Sequence, residues 1–496
     1  MGFRTSLAIA SAKVLSFACK IAGKQGVTMA GKLAMKIDPN ILRTLSSQVK
    51  GDIIVTCGTN GKTTTNNLIC SAFESEGRKV VCNHTGSNML MGVTAAFVLA
   101  AKVSGKLDAD NAVIEIDEAS AKRVFPFMKP DYMVLTNLFR DQLDRYGEID
   151  ITMNLLKEST DMAPDMKIIV NADDSLSSYL AMDSGHPYVT YGISEEVFRK
   201  KDENEIREGQ FCKKCGSRLS YDFYHFSQMG VYRCETCGFR RPYVDFDVEN
   251  ISLKGGLSFD VTESKNKLHT EAAEMDGVIK TAIVKGPVTG KREGERYQAH
   301  HISANYRGFY NIYNILACYA ACRTAGLSMK HFDEMIASYK PEFGRNELFH
   351  IGKSSVLLNL AKNPAGFNQN IASVMEDESP KDIIIVINDN AQDGKDISWL
   401  WDVDFDRLED QSIRSITVSG IRCQDMRLRL KYVGIRTELI GDVKSAIEKK
   451  LQDGCGNLYV LVNYTALYNT HKILGEMQAK SGAVDRKHDP EKEGKA

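Results

Sequence analysis

The 496-residue sequence has no apolar run long enough to cross a membrane, no excess of charge of one sign, and no disulfide-type cysteine framework. The first lack excludes a transmembrane helix. A formal net charge of −1 removes the global field that would draw nucleic acid or an acidic surface. Of the 12 cysteines, four are clustered and the rest scattered, which is the usage of a reducing compartment, so a cytoplasmic location is expected. The length leaves room for two or three domains with substantial cores. Residues Met1 to Ala22 carry Arg4, Lys13 and Lys20 among apolar residues, but the run is too interrupted for a secretion signal. The spacing of Leu7, Ile9, Ala10, Lys13, Val14, Phe17 and Ile21 instead predicts an amphipathic helix, with docking on the protein's own core expected ahead of membrane contact.

What the sequence does contain is a phosphate cradle. The β-branched run Asp52-Ile53-Ile54-Val55 is followed by Gly58-Thr59-Asn60-Gly61-Lys62-Thr63-Thr64, and Leu68, Ile69, Ala72 and Phe73 then recur at helical spacing. Strand, glycine turn and helix in that order let backbone N–H groups face an anion, with Lys62 reaching the terminal phosphates of ATP and Thr63 or Thr64 holding Mg²⁺. The strict Walker spacing is not met, because Thr56 stands six residues before Lys62. Further strands are predicted at Lys79–Cys82, at Ala112–Glu118 with an acidic end, and at Met133–Asn137 and Lys167–Asp174 with polar ends, alternating with helical stretches. That alternation predicts a parallel sheet with its ligand at the strands' carboxyl ends.

Cys212-Lys213-Lys214-Cys215-Gly216 and Cys234-Glu235-Thr236-Cys237-Gly238 are two knuckles whose thiolates suit tetrahedral Zn²⁺ with no open position. The site is expected to be structural, with Tyr221, Phe223, Tyr224 and Tyr232 supplying a small ribbon. Arg233, Arg240 and Arg241 raise the thought of nucleic acid, but three arginines among acidic neighbours make a weak case, and none is expected to bind. The stretch Val244 to His301 reads as a β-rich extension, and Gly23 to Ser47 as a loop followed by a short helix from Pro39.

The compact cradle resembles that of the Mur ligase superfamily, which joins a carboxylate to an amine through an acyl phosphate made with ATP. Other motifs follow in the family's order. The resemblance makes Glu115, at the acidic exit of its strand, the metal glutamate, with Glu118 in reserve. Asn137 to Gly147 is similar to the family's N-x-x-x-D-H-L-D-x-H-G, with Gln142 where a histidine is usual. Asn171-Ala172-Asp173-Asp174 resembles the signature whose asparagine lies near adenine. Asn311 matches a nucleotide-contacting asparagine, and Gly344-Arg345-Asn346-Glu347 the family's G-R-x-E, which places Arg345 with the nucleotide. Lys157 lies near a position carbamylated in some relatives, although a plain surface lysine is the expectation here.

Asn363-Pro364-Ala365-Gly366-Phe367-Asn368-Gln369, the short N-terminal segment and the four-cysteine insertion together resemble the MurT family. That resemblance implies ATP-dependent amidation of the D-glutamate α-carboxyl in lipid II, with ammonia from a GatD-like glutaminase subunit. A terminal-domain aspartate, Asp396 first and Asp393 second, would complete the partner's Cys–His pair. The expected fold is α/β: an N-terminal helical segment (1–50), a Mur ligase-like parallel-sheet P-loop domain (51–342) with a zinc ribbon inserted at about 205–245, a smaller α/β domain (343–478) and a disordered tail (479–496). The expected cofactors are ATP, Mg²⁺ and structural Zn²⁺, and the lipid-linked substrate places the chain at the inner face of the membrane. Two rivals remain. A folylpolyglutamate-synthase-like ligase would be expected to show Gly-Lys-Gly where this chain has Gly61-Lys62-Thr63, and a non-catalytic zinc-ribbon protein would hold ATP without turning it over.

Overall fold

The computed structural model describes residues 2–21, 26–84, 86–140, 148–198, 208–264, 298–305, 307–339, 344–390 and 392–485. The chain forms two compact units, the first built from residues up to Tyr339 and the second mainly from those after it.

In the first unit the β-branched run becomes β1 (Ile53–Cys57), a strand buried along its whole length, as a central parallel strand must be. Around it lie β2 (Val80–Cys82), β3 (Asn111–Glu115), β4 (Tyr132–Leu135), β5 (Lys167–Asn171) and β6 (Tyr188–Ile193). A hairpin of β7 (Ser220–Phe226) and β8 (Met229–Arg233) stands apart from the sheet. The extension expected after Val244 is β9 (Phe246–Ser252), β10 (Leu257–Glu263) and β11 (Gln298–Ala304). The sheet order is β11-β10-β9-β6-β5-β4-β1-β3-β2, parallel from β9 to β2 and antiparallel at the other edge. The chain runs to one side of β1 through β2 and β3, then crosses to the other side at β4. A reversal of that kind opens a crevice beyond the carboxyl end of β1, where open α/β sheets bind ligands.

The N-terminal segment belongs to this unit and has three helices, α1 (Phe3–Ile21), α2 (Val27–Ile37) and α3 (Ile41–Ser46). The loop expected before Pro39 is therefore largely helical. Its helix buries Ala30, Gly31 and Ala34, small residues that admit α5 (Leu90–Ala100) so closely that a Cβ on Gly31 would lie 1.8 Å from the Met91 carbonyl oxygen. Close approach of small residues leaves no periodic signal of large apolar ones, so the sequence pattern passes over it. The helix α4 (Lys62–Ser75), which follows the glycine turn, falls between β1 and β2, as expected.

The second unit has its own six-stranded sheet, ordered β12-β13-β17-β14-β15-β16, with β12 (Glu347–Ile351) antiparallel to β13 (Ser354–Leu360). Its remaining strands are parallel: β14 (Lys381–Val386), β15 (Ile413–Ser419), β16 (Glu438–Leu439) and β17 (Asn457–Val462). Asn363 caps the helix Pro364–Met375 by accepting from Gly366 N at 2.8 Å, and Pro364 occupies the first turn, where a missing N–H costs nothing. The last helix, Tyr464–Asp485, continues past residue 478 into the segment expected to be disordered. Phe367 is fully buried against Phe405 and Trp399, at ring-centroid distances of 5.2 and 6.0 Å.

Trp399 and Trp401 are the chain's only tryptophans and both lie in the second unit, so tryptophan fluorescence reports its unfolding alone. Phe367→Ala is expected to remove about 3–5 kcal/mol from that unit. A urea midpoint by tryptophan fluorescence identical to that of the unmutated chain would contradict the packing described.

Candidate active site

The turn between β1 and α4 is held from the neighbouring strand. Thr59 N donates to Asn137 O at 2.8 Å, and the Asn60 backbone is bracketed by the Asn137 amide, whose Oδ1 accepts from Asn60 N at 2.9 Å and whose Nδ2 donates to Asn60 O at 3.1 Å. Thr136 Oγ1 donates to Asn60 O at 2.8 Å, and Thr59 Oγ1 to Phe139 O at 3.0 Å. So close a clamp requires glycine. A Cβ on Gly58, whose φ is +121°, would sit 2.2 Å from Thr136 Oγ1, and one on Gly61, at φ +81°, would sit 2.2 Å from Asn314 Oδ1. Gly61 is also the N-cap of α4, so the helix begins at the loop with its first N–H groups free of intrahelical partners.

Two glutamates at the exit of β3 take different parts. Lys62 is buried and donates to Gly58 O, to Thr59 O at 3.3 Å and to Glu118 Oε2 at 3.1 Å, so Glu118 is the partner of the lysine. Glu115 is pinned through its backbone, with its N–H donating to Asn83 Oδ1 and its C=O accepting from Asn83 Nδ2, both at 2.8 Å. Its Oε1 accepts from Asn88 Nδ2 at 2.8 Å, while its buried Oε2 has no hydrogen-bond partner among the described residues. A Cβ on Gly86 would lie 3.4 Å from both that oxygen and Thr63 Oγ1, so the carboxylate and the hydroxyl border one gap, kept open by a glycine. An unpartnered buried carboxylate oxygen beside a hydroxyl is a donor set suited to a hard divalent cation. Thr64 is buried within the helix. Asp117 accepts from Ser120 Oγ at 3.2 Å and shapes the turn.

The helix Tyr310–Thr324 closes the far side of the loop. Asn314 Oδ1 accepts from Thr65 Oγ1 at 3.4 Å and Asn314 Nδ2 donates to Asn311 Oδ1 at 2.9 Å, so the expected Asn311 is joined to α4 through Asn314, which the motif did not mark as a contact. Asn171 is fully buried at the end of β5, donating to Thr136 O at 3.0 Å and accepting from Asp173 N at 3.1 Å. It braces the strand exit that clamps the loop. Lys157 is a surface residue paired with Asp183, in line with expectation.

The four-cysteine insertion is tied to the same strand exit. Cys212, Cys215, Cys234 and Cys237 place all four sulfurs within 4.8 Å of one another, with Cys212–Cys237 at 3.6 Å and Cys215–Cys234 at 3.5 Å, compact enough to hold one tetrahedral metal ion. Bonds from Ser217 hold the Cys215 thiol down at about 6, which favours the thiolate a metal needs. At the turn of the β7–β8 hairpin, Gln228 Nε2 donates to Leu138 O and to Asp174 Oδ1, both at 2.7 Å. Arg241 is buried, its Nε donating to Asp173 Oδ1 at 2.6 Å, so it is a structural anchor and offers nothing to nucleic acid. Tyr313 donates to Asp173 Oδ2 at 2.6 Å and lies 2.7 Å from His225 Nδ1, and burial holds that imidazole below its ordinary range, in its neutral form. The ribbon's anchors thus converge on the aspartates that follow Asn171.

Asp141 to Gly147, which include Gln142, lie outside the described residues, as does Phe343. In the second unit, Arg345 follows Gly344 in a turn closed by Gly344 N donating to Glu347 Oε2 at 3.0 Å. Asp393 is buried, its carboxylate accepting from Thr465 N at 2.8 Å and Asn390 N at 3.2 Å, and burial raises its pKa. Asp396 is half-buried and accepts from Ser398 N at 2.8 Å. Because loss of Arg241 would leave Asp173 as an uncompensated buried charge, Arg241→Ala is expected to destabilise the first unit by about 3–5 kcal/mol. Urea unfolding followed by circular dichroism checks this, and an unchanged midpoint would show that the arginine is dispensable.

Residues 55–232 match the Mur ligase middle domain and residues 360–467 the MurT ligase C-terminal family. The chain is 34% identical over 462 residues to the lipid II isoglutaminyl synthase (glutamine-hydrolyzing) subunit MurT of Staphylococcus aureus strain COL, covering 93% of this chain and 95% of the relative. With the same subunit of Streptococcus pneumoniae strain R6 it shares 30% identity, over 96% of this chain and 98% of the relative. Among solved structures, a pseudomurein peptide ligase type C from Methanothermus fervidus superposes with a TM-score of 0.65 at 21% identity, covering 86% of this chain and 79% of that one. MurF from Acinetobacter baumannii gives 0.60 at 14%, over 90% and 80%. These two likenesses show the Mur ligase fold, and the nearly full-length matches above them show that the chain belongs to the MurT family.

Proposed function

We propose that this chain, with a GatD-like glutaminase partner, amidates the α-carboxyl of D-glutamate in the stem peptide of lipid II, giving D-isoglutamine at the expense of ATP. Family membership supports the substrate, and one geometric observation carries the chemistry: Glu115 Oε2, buried and without a hydrogen-bond partner among the described residues, shares a gap with Thr63 beside the Lys62 loop. The N–H groups from Gly58 to Thr64 and the Lys62 ammonium bind the phosphates, with Thr59 and Asn60 fixed by β4 and Asn311 and Asn171 bracing the nucleotide side. Thr63 and Glu115 hold Mg²⁺, which when bound neutralises phosphate charge.

The D-glutamate carboxylate oxygen attacks the γ-phosphorus, the bond to the ADP oxygen breaks, and an acyl phosphate forms. Ammonia then attacks the carbonyl carbon, phosphate departs, and a proton is released as the amide forms. Neither step needs a nucleophile from this chain; both need charge held in place. Cys455 is a poor candidate for releasing ammonia from glutamine, since burial pushes its thiol up to about 12 and its sulfur is bonded to Asn457 O at 3.0 Å. A partner therefore supplies the ammonia. Asp396, half-buried, is the aspartate favoured for orienting that partner's histidine, because Asp393 is buried and accepts from Thr465 N. The four cysteines hold a structural Zn²⁺ that keeps Gln228 and Arg241 against the strand exit; metal analysis of the purified chain should give one zinc per chain, and none after Cys234→Ser with Cys237→Ser.

The test of function is amidation of lipid II followed by mass spectrometry, with the partner and either glutamine or ammonium as nitrogen source. Lys62→Ala should lose about 10²-fold or more with both sources. Asp396→Ala should lose the glutamine-driven reaction and keep the ammonium-driven one. ATP-dependent amidation that survives Lys62→Ala would sink the proposal.

A further inference from the structure

We propose that the outward face of α1 docks on a bilayer containing anionic phospholipid. A surface helix ordinarily turns its large apolar side chains inward. This one leaves most of them outside. Its inner face, packed on α2 and α5, carries Thr5, Ala8, Ile9, Ala12 and Ser16, and is pinned where Thr5 Oγ1 donates to Asp38 Oδ2 at 2.7 Å. Its outer face carries Phe3 at 85% exposure, Leu7 at 47%, Val14 at 69%, Phe17 at 66% and Ile21 at 74%. The helix was expected to be amphipathic with its apolar side on the core. The core receives Ile9 and four small residues, while five large apolar side chains remain outside.

The pattern of the outer face selects the occupant. At about 100° per residue, the five exposed residues fall within about 40° on either side of one line. That line runs along a helix of 19 residues, about 28 Å of straight apolar ridge. Arg4 lies on one flank, Lys13 and Lys20 on the other, and no acidic residue occurs between Phe3 and Ile21. A straight ridge with cations on both sides and no anions is the form of a helix lying in the membrane plane, its apolar side chains among acyl chains and its cations level with anionic headgroups. Among the described residues no helix is long and apolar enough to cross a membrane, so this contact is a surface one. The inference draws its biological setting from the proposed lipid-linked substrate and names the surface by which the chain meets it.

The test is co-sedimentation of the full chain with phosphatidylglycerol vesicles and with phosphatidylcholine vesicles, both free of lipid II. The unmutated chain should sediment with the anionic vesicles, and Phe3→Ser with Phe17→Ser and Ile21→Ser should weaken this by about tenfold or more. Thermal unfolding should be unaffected, because all three side chains are exposed. Lys13→Gln with Lys20→Gln should weaken binding to anionic vesicles and flatten its salt dependence. No vesicle binding by the unmutated chain, or equal binding by the triple variant, overturns the inference. Amidation of detergent-dispersed lipid II is measured in parallel. If the triple variant loses that activity or its association with the partner subunit, the face is a protein interface and the inference also fails. Vesicle binding without amidation by the unmutated complex would sink the proposed function and leave this one standing.

Discussion

The clamp between the phosphate loop and the exit of β4 is the constraint on which the first unit depends. Thr136 and Asn137 hold the backbone of Thr59 and Asn60 in place, and Gly58 can approach them only because it has no side chain. Once the loop is fixed, α4 must begin at Gly61, and Lys62 folds back over its own turn to meet Glu118. The topological reversal at β1 then places Glu115 on the opposite side of the loop from the clamp, since β3 and β4 flank β1. Loop, lysine, carboxylate and hydroxyl are thereby set by backbone geometry before any ligand arrives, which is what electrostatic stabilisation of a phosphoryl transfer requires.

The four-cysteine ribbon extends the same principle outward. Its core is small, and small units of that size are commonly held together by a metal. Gln228 bonds Leu138 and Asp174, and Arg241 bonds Asp173, so the ribbon grips the segments that follow β4 and β5. Leu138 is adjacent to Asn137, the loop's clamp. The ribbon is therefore a brace behind the strand exit that clamps the loop, attached by buried polar groups of the first unit.

Much of this was legible in the sequence. The β-branched run, the glycines and the helical periodicity after Lys62 announced strand, turn and helix, and the cysteine knuckles announced their cluster, because each signal is local. Others depend on tertiary approach. The small face of α2 leaves no periodic trace. Glu115 and Glu118 look equivalent in sequence, and only the position of Lys62 relative to β3 separates the carboxylate that borders the gap beside Thr63 from the lysine's partner. Arg241 reads as a surface cation until Asp173 is seen beside it. The outward apolar ridge of α1 was legible as periodicity, but which side faced the core was not, since Ala8, Ile9 and Ala12 also form an apolar face. In the second unit, Asp393 and Asp396 are both turn aspartates in sequence, and burial against Thr465 distinguishes them.

The central claim is that Lys62 and its loop activate a carboxylate as an acyl phosphate for ammonia. The most direct measurement uses lipid II whose D-glutamate α-carboxyl carries oxygen-18, incubated with ATP, the complete complex and ammonium, with the released phosphate analysed by mass spectrometry. Transfer of one labelled oxygen from the carboxyl to phosphate is the predicted result. Amide formation with unlabelled phosphate would contradict the account.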